Sequence, residues 1–232
     1  MTTTDASAPL STGPAAASQL GDHLAFAVNE ISRWMGEFGP YQPHSSLQVD
    51  SAELSAAFAE MTDRLRHNYP FFHPRYAGQM LKPPHPVAMI GYVATMLINP
   101  NNHALDGGPA TAEMEKEVVA QLAGMFGYGT EFLGHLTSSG TIANLEALFV
   151  ARETHPDKGI AYSADSHYTH SRMCHLLGVV GKVVATDSAG RMDLDALEDL
   201  LKTGTVGTVV MTAGTTGLGA IDPIYLAVPL CA

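Results

Sequence analysis

From residue 132 onward, short apolar runs alternate with segments of helical periodicity, and this alternation is the feature that most limits how the chain can fold. The apolar runs predict four strands, at Phe132–Thr137, Gly159–Ser163, Lys182–Ala185 and Val206–Thr212. The segments between them predict helices at Thr141–Glu153, Tyr168–Leu177 and Asp193–Lys202. Strands that alternate with helices are typical of an α/β layer with parallel pairing and right-handed crossovers.

The residues before this layer predict helices and an ordered loop. Helical spacing occurs at Gly21–Phe38, Ser51–His67 and Val87–Ile98, with Asp50 or Ser51 as N-cap of the second helix. Thr111 is predicted to cap a further helix that ends at Phe126. Prolines and aromatic rings fill residues 69–86 and exclude a regular helix there. We therefore divide the chain into a disordered tail (1–18), a helical and loop segment (19–110) and an α/β segment (111–232).

Composition and charge narrow the classes of function. The chain has 232 residues, of which 46% are hydrophobic and 15% charged, as expected for a soluble globular protein. A net charge of -11 without any Lys/Arg-rich run argues against nucleic-acid and membrane partners. No apolar stretch is long enough to span a bilayer, and residues 1–18 lack a secretory signal. Cys174 and Cys231 form no CxxC pattern, so a cytoplasmic location without disulfides or structural zinc is expected.

Ligands in parallel α/β sheets bind at the carboxyl ends of the strands, so the residues after each strand are the candidates for a site. Ser138, Ser139, Gly140 and Thr141 follow the first predicted strand and begin a helix. Backbone N–H groups and the positive end of the helix dipole suit a phosphate there. The alternative that the serines only cap the helix remains open. The pattern is not GxxxxGKS/T, which disfavours nucleotide hydrolysis.

The next two strand ends carry a histidine and a glycine-rich loop. His167 follows the second strand, where its ring could cover a ligand, and a capping or core histidine is the alternative. A metal site with His170 is a weaker hypothesis, because no carboxylate follows at ligand spacing. Thr215 and Thr216 lie in the loop after the last strand and offer hydroxyl groups. Asp222 precedes Pro223 and is interpreted as a helix cap in preference to a ligand-binding residue.

Three motifs on successive strand ends together resemble one protein family. SSGTIANLEAL, YSADSHYTH and TAGTTGLGAIDPI, in this order, are similar to the group II pyridoxal-phosphate-dependent amino-acid decarboxylases, which include aromatic amino-acid, glutamate and histidine decarboxylases. The upstream HPRYAGQMLKPPHP and NPNNHALDGGPATAEMEKEVV also resemble that family, so the likeness covers Phe71 to Ile224. The resemblance implies an α/β fold: an N-terminal helical segment plus part of the large domain of a type I, aspartate aminotransferase-like transferase fold.

The resemblance also implies roles for individual residues. The cofactor is pyridoxal 5'-phosphate, and its phosphate is implied to be held by Ser139, Gly140 and Thr141. His167 is implied to stack on the pyridine ring and to govern proton transfer, with Thr216 nearby. Four residues are implied to line the substrate pocket, partly from the second subunit of a homodimer: His73, Tyr76, Asn101 and Asn102. The substrate is an L-amino acid whose class the sequence does not select.

The chain departs from the family pattern at its C-terminal end. The family's Schiff-base lysine and the acid that pairs with the pyridine nitrogen both follow the segment matching GAIDPI, and residues 225–232 do not resemble that continuation. None of the chain's lysines is predicted to reach the ring: Lys82, Lys116, Lys158, Lys182 and Lys202. We therefore expect no efficient decarboxylation by this chain alone, together with an exposed sheet edge and exposed apolar faces.

Two further hypotheses remain beside the decarboxylase. One is another enzyme of the same fold, such as a lyase or an aminotransferase, since fold does not fix chemistry. The other is a non-catalytic or regulatory subunit that docks on a longer homologue. A dinucleotide-binding protein is disfavoured, because no GxGxxG motif with a downstream acid occurs.

Overall fold

The computed structural model describes residues 14–40, 42–78 and 82–232, and the chain divides into two compact units, Met1–Met114 and Glu115–Ala232. Each unit is built differently. The first contains helices and loops, and the second contains a parallel sheet with helices packed on it.

Three helices of the first unit lie close to their predicted places: α1 Pro14–Gly36, α2 Ser51–Leu65 and α3 Pro86–Met96. Asp50 is the N-cap of α2, as predicted, because its Oδ1 accepts from the N–H groups of Ala52 (2.8 Å) and Glu53 (3.0 Å). Residues 14–18, which the sequence analysis placed in the tail, lie in α1, and residues 1–13 lie outside the described part of the chain.

Helix α4, Pro109–Met125, begins two residues before the predicted cap. The prediction that Thr111 caps this helix is therefore wrong. Thr111 lies in the first turn, and its Oγ1 donates to Asn102 Oδ1 (2.5 Å) and to the Gly108 carbonyl (3.1 Å). A proline at the first helical position is favourable, because its missing N–H would have no partner there anyway.

The second unit contains a three-stranded parallel sheet in the order β2-β1-β3. Its elements follow one another as α5 Gly140–Thr154, β1 Gly159–Ser163, α6 Thr169–Leu177, β2 Gly181–Val184, α7 Leu194–Lys202, β3 Val206–Val210 and α8 Ile224–Ala227. A short 3-10 turn, Val228–Leu230, comes last. All of the predicted helices in this unit and three of the predicted strands are confirmed to within a few residues.

The core lies on both faces of this sheet. Ile160 and Tyr162 of β1 pack on one face with Leu148 of α5 and Cys174 of α6. Ala161, which alternates with them, faces the other way. It belongs to a second cluster with Val184, Met192, Leu197, Val206 and Ala227. A strand covered on both faces reads as a continuous apolar run, which is why β1, whose residues are all buried, could be recognised in the sequence.

The predicted strand Phe132–Thr137 is not formed, and this prediction is wrong. A strand needs a neighbour to pair with its backbone, and no strand of the described residues pairs with this segment or with the free side of β3. The segment crosses the surface with Leu133 fully exposed. Glu115 Oε1 accepts from the Leu136 N–H (2.8 Å), and His135 pairs with Glu146, so side chains fix its position.

Apolar side chains are exposed on α2 as well as at the sheet edge. No residue of α2 is buried, and Leu54, Phe58, Met61 and Leu65 lie 46–58% exposed along one stripe of the helix. The exposed faces expected from the sequence are therefore present. Among the described helices, none has the length and apolar character needed to cross a membrane.

Candidate functional site

The candidate site is the edge of the sheet where the three parallel strands end, which we call the carboxyl edge. Residues 164–168, 185–193 and 211–223 leave the strands there. Helix α5 also begins there: its 15 residues span about 22 Å at a rise of about 1.5 Å per residue, and it packs on β1 and leads through residues 155–158 to the start of that strand. The topology thus brings one helix N-terminus and three loops to the same edge.

The N-terminus of α5 offers free backbone donors. Ser139 is its N-cap: its Oγ accepts from the Ile142 N–H (3.4 Å) and its carbonyl accepts from the Ala143 N–H (3.0 Å). The capping interpretation is therefore correct for Ser139. The N–H groups of Gly140 and Thr141 have no partner among the described residues, and both residues are exposed. Nothing lies within 4 Å of a Cβ placed on Gly140, so an anion can approach this helix end closely.

His167 lies half-buried at the end of β1, between the strand and α6. Its Nδ1 is 2.6 Å from Thr169 Oγ1 and accepts from the Thr169 N–H at 3.3 Å. An N–H that points at Nδ1 favours the tautomer with the proton on Nε2. Nε2 has no partner among the described residues, so the ring presents a free N–H donor beside the carboxyl edge.

His170 lies one helical turn further on and has a different environment. It is buried, its Nδ1 lies 3.0 Å from the His167 carbonyl, and its ring stacks on Tyr162 at 6.3 Å. Burial lowers the pKa of His170, and burial raises the pKa of Tyr162 and of the Cys174 thiol. Within the described ranges, no three side chains gather that could hold a metal ion. The geometry therefore assigns His170 to the packing between α6 and the sheet.

The lowered pKa of His170 makes stability depend on pH. The folded chain binds this proton less tightly than the unfolded chain, so the stability that the neutral ring contributes is present above the ordinary value of 6.5 and is lost as the pH falls below it. We expect the free energy of unfolding to fall from about pH 7 to about pH 5.5, and to fall less in His170→Gln. Urea unfolding at the two pH values measures the difference. His175→Gln, at an exposed position of α6, is the control and should keep the full fall; an equal fall in all three chains would contradict the assignment.

The loop after β3 uses one of its threonines to hold its own shape and presents the next. Thr215 is buried, its Oγ1 accepts from the Ala220 N–H (3.0 Å), and its N–H donates to the Ala220 carbonyl (2.9 Å). Gly214 has a φ of 126°, which an L side chain rarely adopts. Thr216 is exposed, and no hydrogen bond ties its hydroxyl to any described residue. Thr216 is thus the threonine that a ligand could contact.

Asp222 is not a helix cap, and that interpretation is wrong. Helix α8 begins at Ile224 without a side-chain cap. The carboxylate of Asp222 instead accepts from the N–H groups of Met192 (2.7 Å) and Thr212 (2.8 Å). One of these partners is 30 residues away in sequence, so no local pattern could have indicated the contact.

His73 and Tyr76, predicted to line a substrate pocket, lie in a loop of the first unit. The ring of Tyr76 packs against Phe71 (5.2 Å) and Tyr69 (6.1 Å), so the aromatic rings of this loop contact one another, while residues 79–81 of the predicted loop lie outside the described residues. Lys82 Nζ donates to the carbonyls of Tyr76 (2.9 Å) and His73 (3.3 Å) and lies 5.2 Å from the Tyr76 ring. The ammonium group of Lys82 is therefore engaged in holding this loop.

Asn101 and Asn102 lie in a second loop of the same unit. Asn101 Oδ1 accepts from the His103 N–H (3.0 Å), and the Asn101 N–H donates to the Gly107 carbonyl (3.3 Å). Asn102 accepts from Thr111, as described above. The structure thus divides the predicted site residues into two groups: Ser139, Gly140, Thr141, His167 and Thr216 in the second unit, and His73, Tyr76, Asn101 and Asn102 in the first.

The lysines of the sheet lie away from the carboxyl edge. Lys158 precedes β1 and Lys182 is the second residue of β2, so both are at the opposite edge. Lys202 ends α7, the helix that leads to the start of β3, and pairs there with Glu198 (3.1 Å) and Asp199 (3.3 Å). Lys116 lies in α4, a helix that precedes the sheet in the sequence.

Comparison with known proteins gives consistent matches. The model of the pyridoxal-dependent decarboxylase conserved domain matches residues 58–232. A probable L-aspartate decarboxylase of Halobacterium salinarum is 33% identical over 152 residues, which cover 65% of this chain and 42% of the relative. The L-2,4-diaminobutyrate decarboxylase of Rhizobium meliloti is 33% identical over 188 residues, covering 74% of this chain and 37% of the relative.

Solved structures match over a larger part of the chain. A crystal structure of mouse CSAD in apo form has a TM-score of 0.70 at 23% identity and covers 94% of this chain and 53% of that chain. The glutamate decarboxylase domain of a Vibrio parahaemolyticus enzyme has a TM-score of 0.68 at 20% identity, with 95% of this chain and 57% of that chain covered. These likenesses confirm the predicted fold class, an α/β chain that comprises part of a type I large domain.

The matches also correct one expectation and show how much of its relatives' length the chain spans. The family match continues to Ala232, so residues 225–232 do align with the family, contrary to the sequence analysis. In the structure, Ala227 is buried and Leu230 packs against the core. The chain spans about two fifths of the length of the curated relatives described above and about half of the solved chains.

Proposed function

The chain belongs to the family of pyridoxal-dependent decarboxylases, and from this premise we propose that it forms the cofactor-binding part of an enzyme that removes carbon dioxide from an L-amino acid. The observation that supports the proposal is that three groups able to bind a ligand belong to segments at the carboxyl edge. These are the free N–H groups at the start of α5, the His167 ring and the hydroxyl of Thr216.

The first of these groups fits the phosphate of pyridoxal 5'-phosphate. The N–H groups of Gly140 and Thr141 would hold the phosphate at the positive end of α5, with Ser139 fixing the helix start. Hydrogen bonds from N–H groups to an anion are charge-assisted and therefore among the stronger ones. Because space is open at Gly140, the oxygens can reach these donors without displacing protein atoms.

His167 and Thr216 would orient the rest of the cofactor and the substrate. When bound, the pyridine ring of the cofactor supplies an electron sink for the bond that breaks. His167 would cover one face of that ring, fixed in angle by Thr169, and its Nε2 is the atom that holds or delivers a proton. The exposed hydroxyl of Thr216 would donate or accept one further hydrogen bond.

Catalysis by this chain alone is proposed to be absent. The lysines at Lys158, Lys182 and Lys202 lie at the wrong edge, and the Lys82 ammonium is bound by loop carbonyls. A lysine that forms a covalent link to the cofactor is the family's usual nucleophile. His73, Tyr76, Asn101 and Asn102 are proposed to contact the amino acid, partly across a subunit boundary.

Ser138 provides a variant that tests the phosphate site. It is exposed, precedes the N-cap and makes no hydrogen bond to a described residue, so Ser138→Asp should alter the free energy of unfolding by no more than about 0.5 kcal/mol. Its added carboxylate would repel the phosphate at the same helix end. We expect affinity for pyridoxal 5'-phosphate, measured by equilibrium dialysis, to fall at least about tenfold.

Ser55→Asp is the matched control, because Ser55 is exposed on α2 in the other unit and the charge change is the same. Its affinity should equal that of the unmodified chain. Equal affinities in all three chains would show that the phosphate binds elsewhere or that binding is unspecific.

A second candidate is a different reaction on the same fold. The structure of the sphingosine-1-phosphate lyase Bpss2021 of Burkholderia pseudomallei matches with a TM-score of 0.63 at 21% identity, covering 85% of this chain and 48% of that chain. A likeness of that kind is shared by enzymes of different reaction types. A non-catalytic role, in which the chain docks on a longer homologue, is the third candidate and is favoured by the positions of the lysines.

We also propose that the exposed stripe on α2 packs against a second copy of the chain in a cytoplasmic homodimer. Leu54, Phe58, Met61 and Leu65 follow the spacing of a helix that packs on another surface. Sedimentation equilibrium tests the dimer, and a monomeric mass at every concentration would contradict it.

A further inference from the structure

Asp222 is a buried carboxylate to which the resemblance assigns no role and which the local sequence does not explain. The residue is 2% exposed. Its Oδ2 accepts from the Thr212 N–H (2.8 Å) while its own N–H donates to the Thr212 carbonyl (2.9 Å). Ala213 and Ile221 form the next rung of this antiparallel pairing. The two ends of the loop 212–222 are therefore closed on each other by Asp222.

The other carboxylate oxygen ties this loop to a neighbouring one. Oδ1 accepts from the N–H of Met192 at 2.7 Å. Met192 is itself 2% exposed and belongs to the core cluster that also contains Val184 of β2 and Leu197 of α7. Asp222 thus joins the loop after β3 to the turn after β2, and both segments lie at the carboxyl edge.

The chemistry of this contact requires a carboxylate. Among the described residues Asp222 has no cationic partner, so its two N–H donors are what compensate for the buried charge. Two N–H groups on different segments need two acceptor oxygens, and an asparagine offers one oxygen and turns an NH₂ group toward the other donor. The side chain of Thr212 does not contribute, because its Oγ1 is buried without a partner in the described part of the chain.

We propose that Asp222 is a positioning residue that fixes the loop 212–222 against the turn at Met192 and so sets where Thr216 stands at the carboxyl edge. The part of this inference that concerns Thr216 rests on the proposed function. The part that concerns the loop rests on the two hydrogen bonds alone. Loss of one of them would let the loop move without removing any group that touches the ligand.

The test compares Asp222→Asn with the unmodified chain and with Asp199→Asn, an exposed carboxylate on α7 that serves as the control. Hydrogen exchange is the first readout: the amides of Met192 and Thr212 should exchange at least about tenfold faster in Asp222→Asn, while those of Ile160 and Ala161 in β1 keep their rates. The second readout is affinity for pyridoxal 5'-phosphate at a temperature where the variant is folded. We expect it to fall about tenfold.

The outcomes separate the inference from the proposed function. Unchanged exchange at Met192 and Thr212 would overturn the inference, and so would faster exchange with unchanged cofactor affinity. If the unmodified chain binds no cofactor but the exchange rates change as expected, the proposed function fails and the attachment of the loop by Asp222 stands. If Asp222→Asn does not fold, hydrogen exchange in the unmodified chain provides the test. The inference requires the amides of Met192 and Thr212 to exchange as slowly as those of β1, and fast exchange at either amide overturns it.

Discussion

The purified chain, supplied with pyridoxal 5'-phosphate, is expected to release carbon dioxide from L-amino acids no faster than the free cofactor does in solution. The reason is geometric. The chain has the N–H groups at the start of α5, the His167 ring and the Thr216 hydroxyl at the carboxyl edge, but Lys158, Lys182 and Lys202 lie elsewhere in the sheet unit. Enzymes gain factors of roughly 10⁶ or more by aligning all of their groups, and groups that work as a unit lose most of that gain when one is missing.

Release of labelled carbon dioxide from a mixture of carboxyl-labelled amino acids measures this rate. The L-tyrosine decarboxylase of Levilactobacillus brevis, which is 27% identical in an alignment that covers 88% of this chain, serves as a positive control for the assay. Turnover well above that of free cofactor would show that a lysine of this chain does reach the ring and would refute the proposal that this chain alone does not catalyse the reaction.

Replacement of Leu197 by alanine is expected to lower the free energy of unfolding by about 2–5 kcal/mol. Leu197 has no exposed surface and packs from α7 against Ala161, Val184 and Met192. A typical domain is stable by about 5–15 kcal/mol, so this loss would be a large fraction of the total. The sheet unit should therefore unfold at a much lower urea concentration, at an unchanged slope.

Leu176→Ala is the matched control, since the side chain of Leu176 on α6 is 67% exposed. We expect it to change the free energy of unfolding by no more than about 0.5 kcal/mol. Equal effects of the two substitutions would mean that α7 does not pack on the sheet as described.

Elements with a strong local pattern could be predicted from the sequence, and contacts between distant segments could not. β1 was recognisable because all of its residues are buried, and α2 because Asp50 caps it. The segment 132–137 has a similar apolar pattern, but strand formation depends on a neighbour that local sequence does not reveal.

The same distinction holds for the site. The position of His167 near the carboxyl edge could be predicted because it lies in the segment that follows β1 of a parallel sheet. His170 looks alike in sequence, yet the direction in which α6 faces the sheet buries it against Tyr162. The role of Asp222 depends on Met192, so only the tertiary structure shows it.

The central claim is that the start of α5 binds the phosphate of pyridoxal 5'-phosphate, and the most direct measurement is equilibrium dialysis of the unmodified chain against pyridoxal 5'-phosphate and against unphosphorylated pyridoxal. If the N–H groups of Gly140 and Thr141 hold the phosphate, the phosphorylated form should bind at least about tenfold more tightly, and inorganic phosphate should compete with it. Equal binding of the two forms, or no binding of either, would contradict the account.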